Sequence, residues 1–348
     1  MVFHKVDNKR FWIGFDLGGT KMLSIAFDEK MKMVARRRKK SAGVEGVNAS
    51  LDRITQTIER TLEEALATPD QLLGIGIGCP GPVEWEKGIV RVAVNLGWKN
   101  VPVGSILSKR FGCPVAVLND VDAGTYGEFS CGAAEGSRCT IGMFPGTGIG
   151  GGCVYEGKIL RGKTLTCMEV GHTRISSSHR TSGTNLAGTI ETEASRLAIA
   201  AECAKLAFRG EAPNLLKIAG TDLSNIRSKA IAQAIEAGDA AVQRVVEEAA
   251  QQIGFSVVNL IHLLLPDTIV LGGGLVDAMP KLFVREVEKT VENSILDCYK
   301  GETKVVVAKL GDDAGAIGAA AWAAAQFKQP SAVETENLPD VAIITDNS

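Results

Sequence analysis

The 348-residue chain has no surplus of charge of one sign, no long apolar run and no paired cysteine motif. Lys and Arg number 38 against 40 Asp and Glu, a net charge of −2, so no overall field draws the protein onto nucleic acid or a membrane surface. No apolar stretch approaches the length of a spanning helix, and the opening MVFHKVDNKR is polar, so the expected compartment is the cytoplasm. The eight cysteines (Cys79, Cys113, Cys131, Cys139, Cys153, Cys167, Cys203 and Cys298) include no C-x-C or C-x-x-C pair and read as reduced thiols. Also missing are G-x-x-x-x-G-K-[ST] and a G-x-G-x-x-G heading a helix, which argues against a Walker-type loop and a dinucleotide fingerprint.

What is present is 45% hydrophobic residues, 22% charged residues and 39 glycines, the composition of a globular α/β protein rich in tight turns. The length favours two domains. FWIGFDLGGTKMLSIAFDEKMKMVARRRK alternates β-type runs with turn residues and predicts a hairpin or meander. Leu51, Ile54, Ile58, Leu62 and Leu66 recur at helical spacing over 47–67. Short apolar runs at 72–78 and 114–120 predict buried strands. Further helices are expected near 191–207, 224–237, 239–264 and 313–327, with a strand and glycine turn at 267–275. IGFDLGGTK (13–21) is echoed by IGMFPGTGI (141–149), which predicts two similarly built lobes. The basic run RRRKK at 36–40 reads as a solvated strand edge, and the tail after Lys328 as disordered.

Three glycine turns follow predicted strands: Gly18-Gly19-Thr20-Lys21, Gly146-Thr147-Gly148 with the glycines behind it, and Gly272-Gly273-Gly274. Glycine leaves room for a phosphate to meet backbone N–H groups, although a hairpin turn also favours it. Three such turns in one chain point to a nucleotide. Asp16, two residues before the first turn, is placed to hold Mg²⁺ through water or simply to form the turn. Asp120, ending PVAVLND, stands where α/β sheets open their ligand crevices, while a helix N-cap is an equal reading for Asp120 or Asp122.

The set IGFDLGGTK, GCPGPV, NLGW, LNDVDAGTYGE, GTGIGGG, EVGH and LGGGL, in this order along most of the chain, closely resembles the ROK family of sugar kinases, glucokinases in particular. The resemblance implies an α/β, actin/hexokinase-like (RNase H-like) fold of two lobes that close on a hexose and ATP in the cleft between them. It implies a small N-terminal domain over 1–120 completed by the helix near 313–328, a large domain over 121–312, and a tail over 329–348. It makes Asp120 the general base for the sugar hydroxyl, with Gly81, Asn95, Asn119, Glu169, His172 and Glu191 binding sugar. Asp16, Gly18, Gly19, Thr20 and Lys21 match the first phosphate motif, with Mg²⁺ held at Asp16 through water. Gly146, Thr147 and Gly148 match the second, and Gly272, Gly273 and Gly274 the adenosine motif. A homodimer without nucleic-acid or membrane partners is implied.

Glucose is the expected sugar; fructose, mannose and N-acetylated amino sugars are alternatives, as is polyphosphate as donor. A sugar-sensing repressor or non-catalytic sensor is less favoured, because only ten residues precede Phe11 where a helix-turn-helix domain would stand. In most members of the family ExGH is followed by cysteines that, with the His, hold a structural zinc. Here the matching positions are Ser182, Thr184 and Thr189, whose hydroxyls are poor zinc ligands, so no structural zinc is expected. Cys167 and His179 lack zinc-site spacing, and hydrogen bonds from the Ser/Thr side chains and backbone are expected to hold the loop and orient His172.

Overall fold

Phe11–Leu17 (β1) is apolar at nearly every position because it becomes the central strand of a sheet covered on both faces. The computed structural model describes residues 9–19, 21–41 and 46–328; Thr20 and the 329–348 tail lie outside the described residues. Behind β1 come β2 (Lys21–Asp28) and β3 (Met33–Lys40), the predicted meander, then α1 (Val47–Glu64) and β4 (Leu72–Cys79). A small sheet of β5 (Val83–Glu84), β6 (Ile89–Ala93) and β7 (Trp98–Val101) follows, then α2 (Val103–Phe111), β8 (Val115–Asn119) and α3 (Asp120–Cys131). The rest of the chain supplies β9 (Cys139–Pro145), β10 (Ile149–Tyr155), β11 (Lys158–Ile159), α4 (Ile190–Ala194), α5 (Arg196–Phe208), α6 (Pro213–Ala219), α7 (Ser228–Glu236) and α8 (Ala240–Leu264). It closes with β12 (Thr268–Leu271), α9 (Gly273–Ala278), α10 (Pro280–Ser294), β13 (Lys304–Val307) and α11 (Ala314–Phe327).

The internal echo is architectural. One five-stranded sheet runs β3-β2-β1-β4-β8 and the other β11-β10-β9-β12-β13, so each begins with an antiparallel hairpin and continues with parallel strands in the same order. Ile13, Phe15, Ile75 and Ile77 build one core with Ile54 and Ile58 of α1; Ile141, Met143, Ile269 and Leu271 build the other with Ile253 and Val257 of α8. Each such fully buried side chain stabilises by about 1.5–3 kcal/mol. Helices α3 and α11 pack on each other, and α3 touches both sheets, through β4 and β10.

Three expectations shift at their edges. Helix α1 ends at Glu64 with Ala65 as its C-cap, and Leu66, expected on the buried stripe, is 92% exposed at φ 54°. The helix expected over 191–207 is two, because Ser195 leaves the helical region (ψ 161°) and caps α5 through the Ala198 amide. The helix expected over 224–237 begins only at Ser228. No helix among the described residues is long and apolar enough to cross a membrane.

Candidate active site

The first glycine turn joins β1 to β2, closed by the Gly18 amide donating to Lys21 O at 2.9 Å. A Cβ at Gly19 would stand 2.8 Å from Asn95 Nδ2, so this turn reaches the Asn95 side chain only because it lacks one. Asp16 lies at the end of β1 against the start of α11, where a Cβ on Gly315 would meet its Cγ at 2.9 Å. Burial, then the carboxylates of Asp120 and Asp312, push the Asp16 pKa up to about 7 against the pull of Lys21 and Arg38.

Asp120 is the first residue of α3, directly behind β8. The cap is Asn119: its Oδ1 accepts the amides of Val121 (2.8 Å) and Asp122 (3.3 Å), and its Nδ2 donates to Gly81 O at 3.2 Å. The N-cap reading of Asp120 and Asp122 is therefore corrected. Gly81 itself has φ +83°, and a Cβ there would fall 2.0 Å from Val92 O, which excludes any side chain. Burial lifts the Asp120 carboxyl to about 6; the Val121 amide opposes the rise and the Glu169 charge adds to it. Asp122 turns inward instead. It is 2% exposed, its Oδ1 has no hydrogen-bond partner, and burial raises it to about 8 although Arg161 pulls the other way. Arg161 lies over the rings of Trp85 (4.5 Å) and Trp322 (4.7 Å).

The second glycine turn links β9 to β10, with the Gly146 amide donating to Gly148 O at 2.8 Å. Arg196 at the start of α5 braces it, donating its amide to Gly146 O (2.9 Å) and its guanidinium to Thr147 Oγ1 (2.8 Å). Glu191 Oε2 accepts the Ile149 amide at 3.1 Å, so this carboxylate lies directly beneath the turn. The third set differs from the turn expected after β12: Gly272 caps α9, and Gly273 and Gly274 open it. A cavity of about 930 Å³ carries Lys21 from the first turn and Gly274 from the third, along with Arg196, Arg227, Ser228 and Asp277. A larger cavity of about 1050 Å³, between α10 and β13, contains none of the expected site residues.

Around the zinc-less loop, Ser182 Oγ and Thr184 Oγ1 bond each other at 2.7 Å, Thr189 caps α4, and Gly188 O accepts the amides of Ile175 and Ser176. Arg180 pairs with Glu202 at 3.1 Å. Hydroxyls and backbone thus hold the loop. They do not reach the imidazole, since His172 Nδ1 is buried without a hydrogen-bond partner. Among the described residues no cluster of three or more His, Cys, Asp or Glu is arranged to hold a metal. Sequence reasoning met Asp122 only as a helix cap and passed over Arg161 and Asp312, which lack a local motif and become neighbours of the site only through folding.

Two sheets of one topology, with one cavity carrying residues of the first and third glycine sets, define an actin-like two-domain protein; the ROK-family glucokinase of Streptomyces griseus, solved with glucose and AMPPNP, superposes with a TM-score of 0.76 at 28% identity, covering 90% of this chain and 98% of that one. Residues 12–326 match the ROK family, and the chain belongs to it. It is 30% identical over 313 residues to a glucokinase of Halalkalibacterium halodurans, covering 89% of this chain and 93% of that protein. It is also 31% identical over 261 residues to a xylose repressor of Caldicellulosiruptor bescii, spanning 75% of this chain and 65% of the repressor.

Proposed function

We propose that the protein is a hexose kinase that transfers the terminal phosphoryl group of ATP to a sugar hydroxyl, with glucose giving glucose 6-phosphate. The observation that carries this reading is Asp120: a buried carboxylate in the first turn of α3, close enough to Asp16 for the two charges to interact, with its pKa lifted by burial to about 6. Such a base is mostly ionised at neutral pH yet still basic enough to take a proton. The likeness to glucokinases supports the choice of sugar.

In this reading Asp120 accepts the hydroxyl proton as the sugar oxygen bonds to the terminal phosphorus and the bridging P–O bond to the nucleoside diphosphate breaks. Gly81, Asn95, Asn119, Glu169, His172 and Glu191 orient the other hydroxyls, whose absence would leave buried polar groups unpaired. Gly18, Gly19, Thr20 and Lys21 take the phosphates from one side, Gly146, Thr147 and Gly148 from the other, and Gly272, Gly273 and Gly274 the adenosine end. The site suits a hard divalent cation, because Asp16 is crowded by Asp120 and Asp312 and driven toward protonation. Mg²⁺ held by Asp16 through water would supply neutralisation of the phosphate charge.

The test is phosphoryl transfer by the purified protein from ATP and from polyphosphate to glucose, fructose, mannose and N-acetylated amino sugars. Turnover of glucose with ATP supports the reading. Likeness to the xylose repressor favours one competitor, a sugar sensor, and tight sugar binding without transfer to any member of the panel would establish that instead.

A further inference from the structure

The basic run at 36–40 lies within β3, the edge strand of its sheet, and its side chains divide between the two faces. Leu23 pairs with Asp16 on one side and Arg38 on the other; Ile25 likewise stands between Gly14 and Arg36. Directly opposed residues share a face. Leu23 and Ile25 pack with Ala316 and Ala320, so this is the face that α11 covers. Arg37 points the opposite way and pairs with Glu64 of α1.

On the α11 face the arginines reach across the molecule. Arg36 pairs with Asp313 at 2.6 Å and Arg38 with Asp312 at 2.7 Å, and the same Asp312 oxygen also meets Lys21 Nζ at 3.3 Å. Ser41 Oγ donates to Gly18 O at 2.8 Å, fastening the end of β3 to the first glycine turn. Three cations thus share two carboxylates beside the first glycine turn, and Arg38 is near enough to Asp16 to draw its pKa down.

We propose that Lys21 and Arg38 form a clamp for the terminal phosphates of the phosphoryl donor, with Asp312 as an internal counter-ion that the phosphates displace. The clamp rests on the phosphotransfer reading and assigns Arg38 a role in it. Asp312 and Arg38 are 61% and 37% exposed at their side chains, so exchanging one anion for another costs little desolvation. A phosphate chain offers more charge and more acceptor oxygens to the guanidinium fork than a single carboxylate does. Asp312 follows Gly311, which has φ 55°, on a three-residue helical turn ahead of α11. Moving Asp312 aside also relieves its repulsion with Asp16.

Calorimetric binding of tripolyphosphate, ATP and AMP in the presence of a chelator tests the clamp on wild type, Arg38→Ala, Arg37→Ala and Asp312→Asn, each first shown to melt cooperatively. Arg38→Ala should weaken ATP and tripolyphosphate by roughly tenfold or more and leave AMP nearly unchanged. Arg37→Ala removes the same charge one residue away on the other face and should change affinity by less than about twofold. Asp312→Asn should tighten both phosphate chains. Losses confined to ATP assign the clamp to a nucleotide tail, and equal losses on tripolyphosphate assign it to the bare phosphate chain. Unchanged affinity in Arg38→Ala, equal losses in Arg37→Ala, or weakening in Asp312→Asn overturns the clamp while leaving wild-type binding intact. Wild type that binds neither chain without metal overturns the clamp alone, because the kinase reading stands or falls on transfer with Mg²⁺ present.

Discussion

Asn119 accepts the Val121 amide at 2.8 Å and so takes the capping position ahead of Asp120. Either residue type can cap a helix, and the helix macrodipole favours an acid in its first turn. Asn119 Oδ1 also accepts the Asp122 amide, while Asp120 Oδ1 shares the Val121 amide at 3.0 Å. Replacing Asp120 by Asn keeps its shape and removes the proton acceptor. Asp120→Asn should lower kcat by at least ~100-fold while sugar affinity, read by calorimetry, stays within a few-fold of wild type. Near-normal turnover would remove Asp120 from the mechanism.

The pH dependence follows from the same carboxylate. Burial raises the Asp120 pKa to about 6, so the base is protonated and inactive below that value and ionised above it. In the free enzyme kcat/KM should therefore fall as pH drops through about 6, approaching a tenfold loss per unit. A flat profile between pH 5 and 7, with the fold intact, would contradict the assignment.

Asp122 yields a stability prediction of opposite utility. Its folded pKa of about 8 lies above the ordinary 3.8, so the folded chain holds this proton more tightly than the unfolded chain. The stability this brings is complete at low pH and is lost as pH rises through about 8. Asp122→Asn, which has no charge to bury, should gain on wild type between pH 5 and 9, by roughly 2–4 °C in Tm for each kcal/mol recovered. A difference in Tm that stays constant across that range would show that Asp122 does not titrate there.

Much of this was legible because period and turn chemistry act locally. The β1–β2 and β9–β10 hairpins could be matched as text, since central strands in equivalent sheets need the same apolar runs and glycine turns. Helix α8 declared itself through its buried stripe of Val242, Val246, Ala249, Ile253 and Val257. Helix α3 did not, because it is buried on several sides and shows no stripe; Gly127 lies so close to α11 that a Cβ would meet Ala314 O at 2.4 Å, and this reads in sequence as a helix breaker. Ser195 fits a helix interior or a cap equally well until the bend is seen. The partners of Arg36 and Arg38 stand 277 and 274 residues away, and no local pattern joins them.

The loop that replaces the zinc site gives the last prediction. Its hold comes from the Ser182–Thr184 hydroxyl pair, the Thr189 cap and the amides of Ile175 and Ser176 on Gly188 O. None of these involves an ionisable thiol, whereas a Cys₃His site couples folding to a metal and collapses when it is stripped. The purified protein should carry no stoichiometric zinc by elemental analysis, and a zinc-selective chelator should leave both Tm and phosphoryl transfer unchanged. Removing Mg²⁺ should abolish transfer, because the crowded carboxylates around Asp16 and the donor phosphates still require a hard cation between them. Close to one tightly bound zinc per chain, with loss of structure over 169–191 on chelation, would show that His172 finds a metal through ligands outside this hydroxyl network.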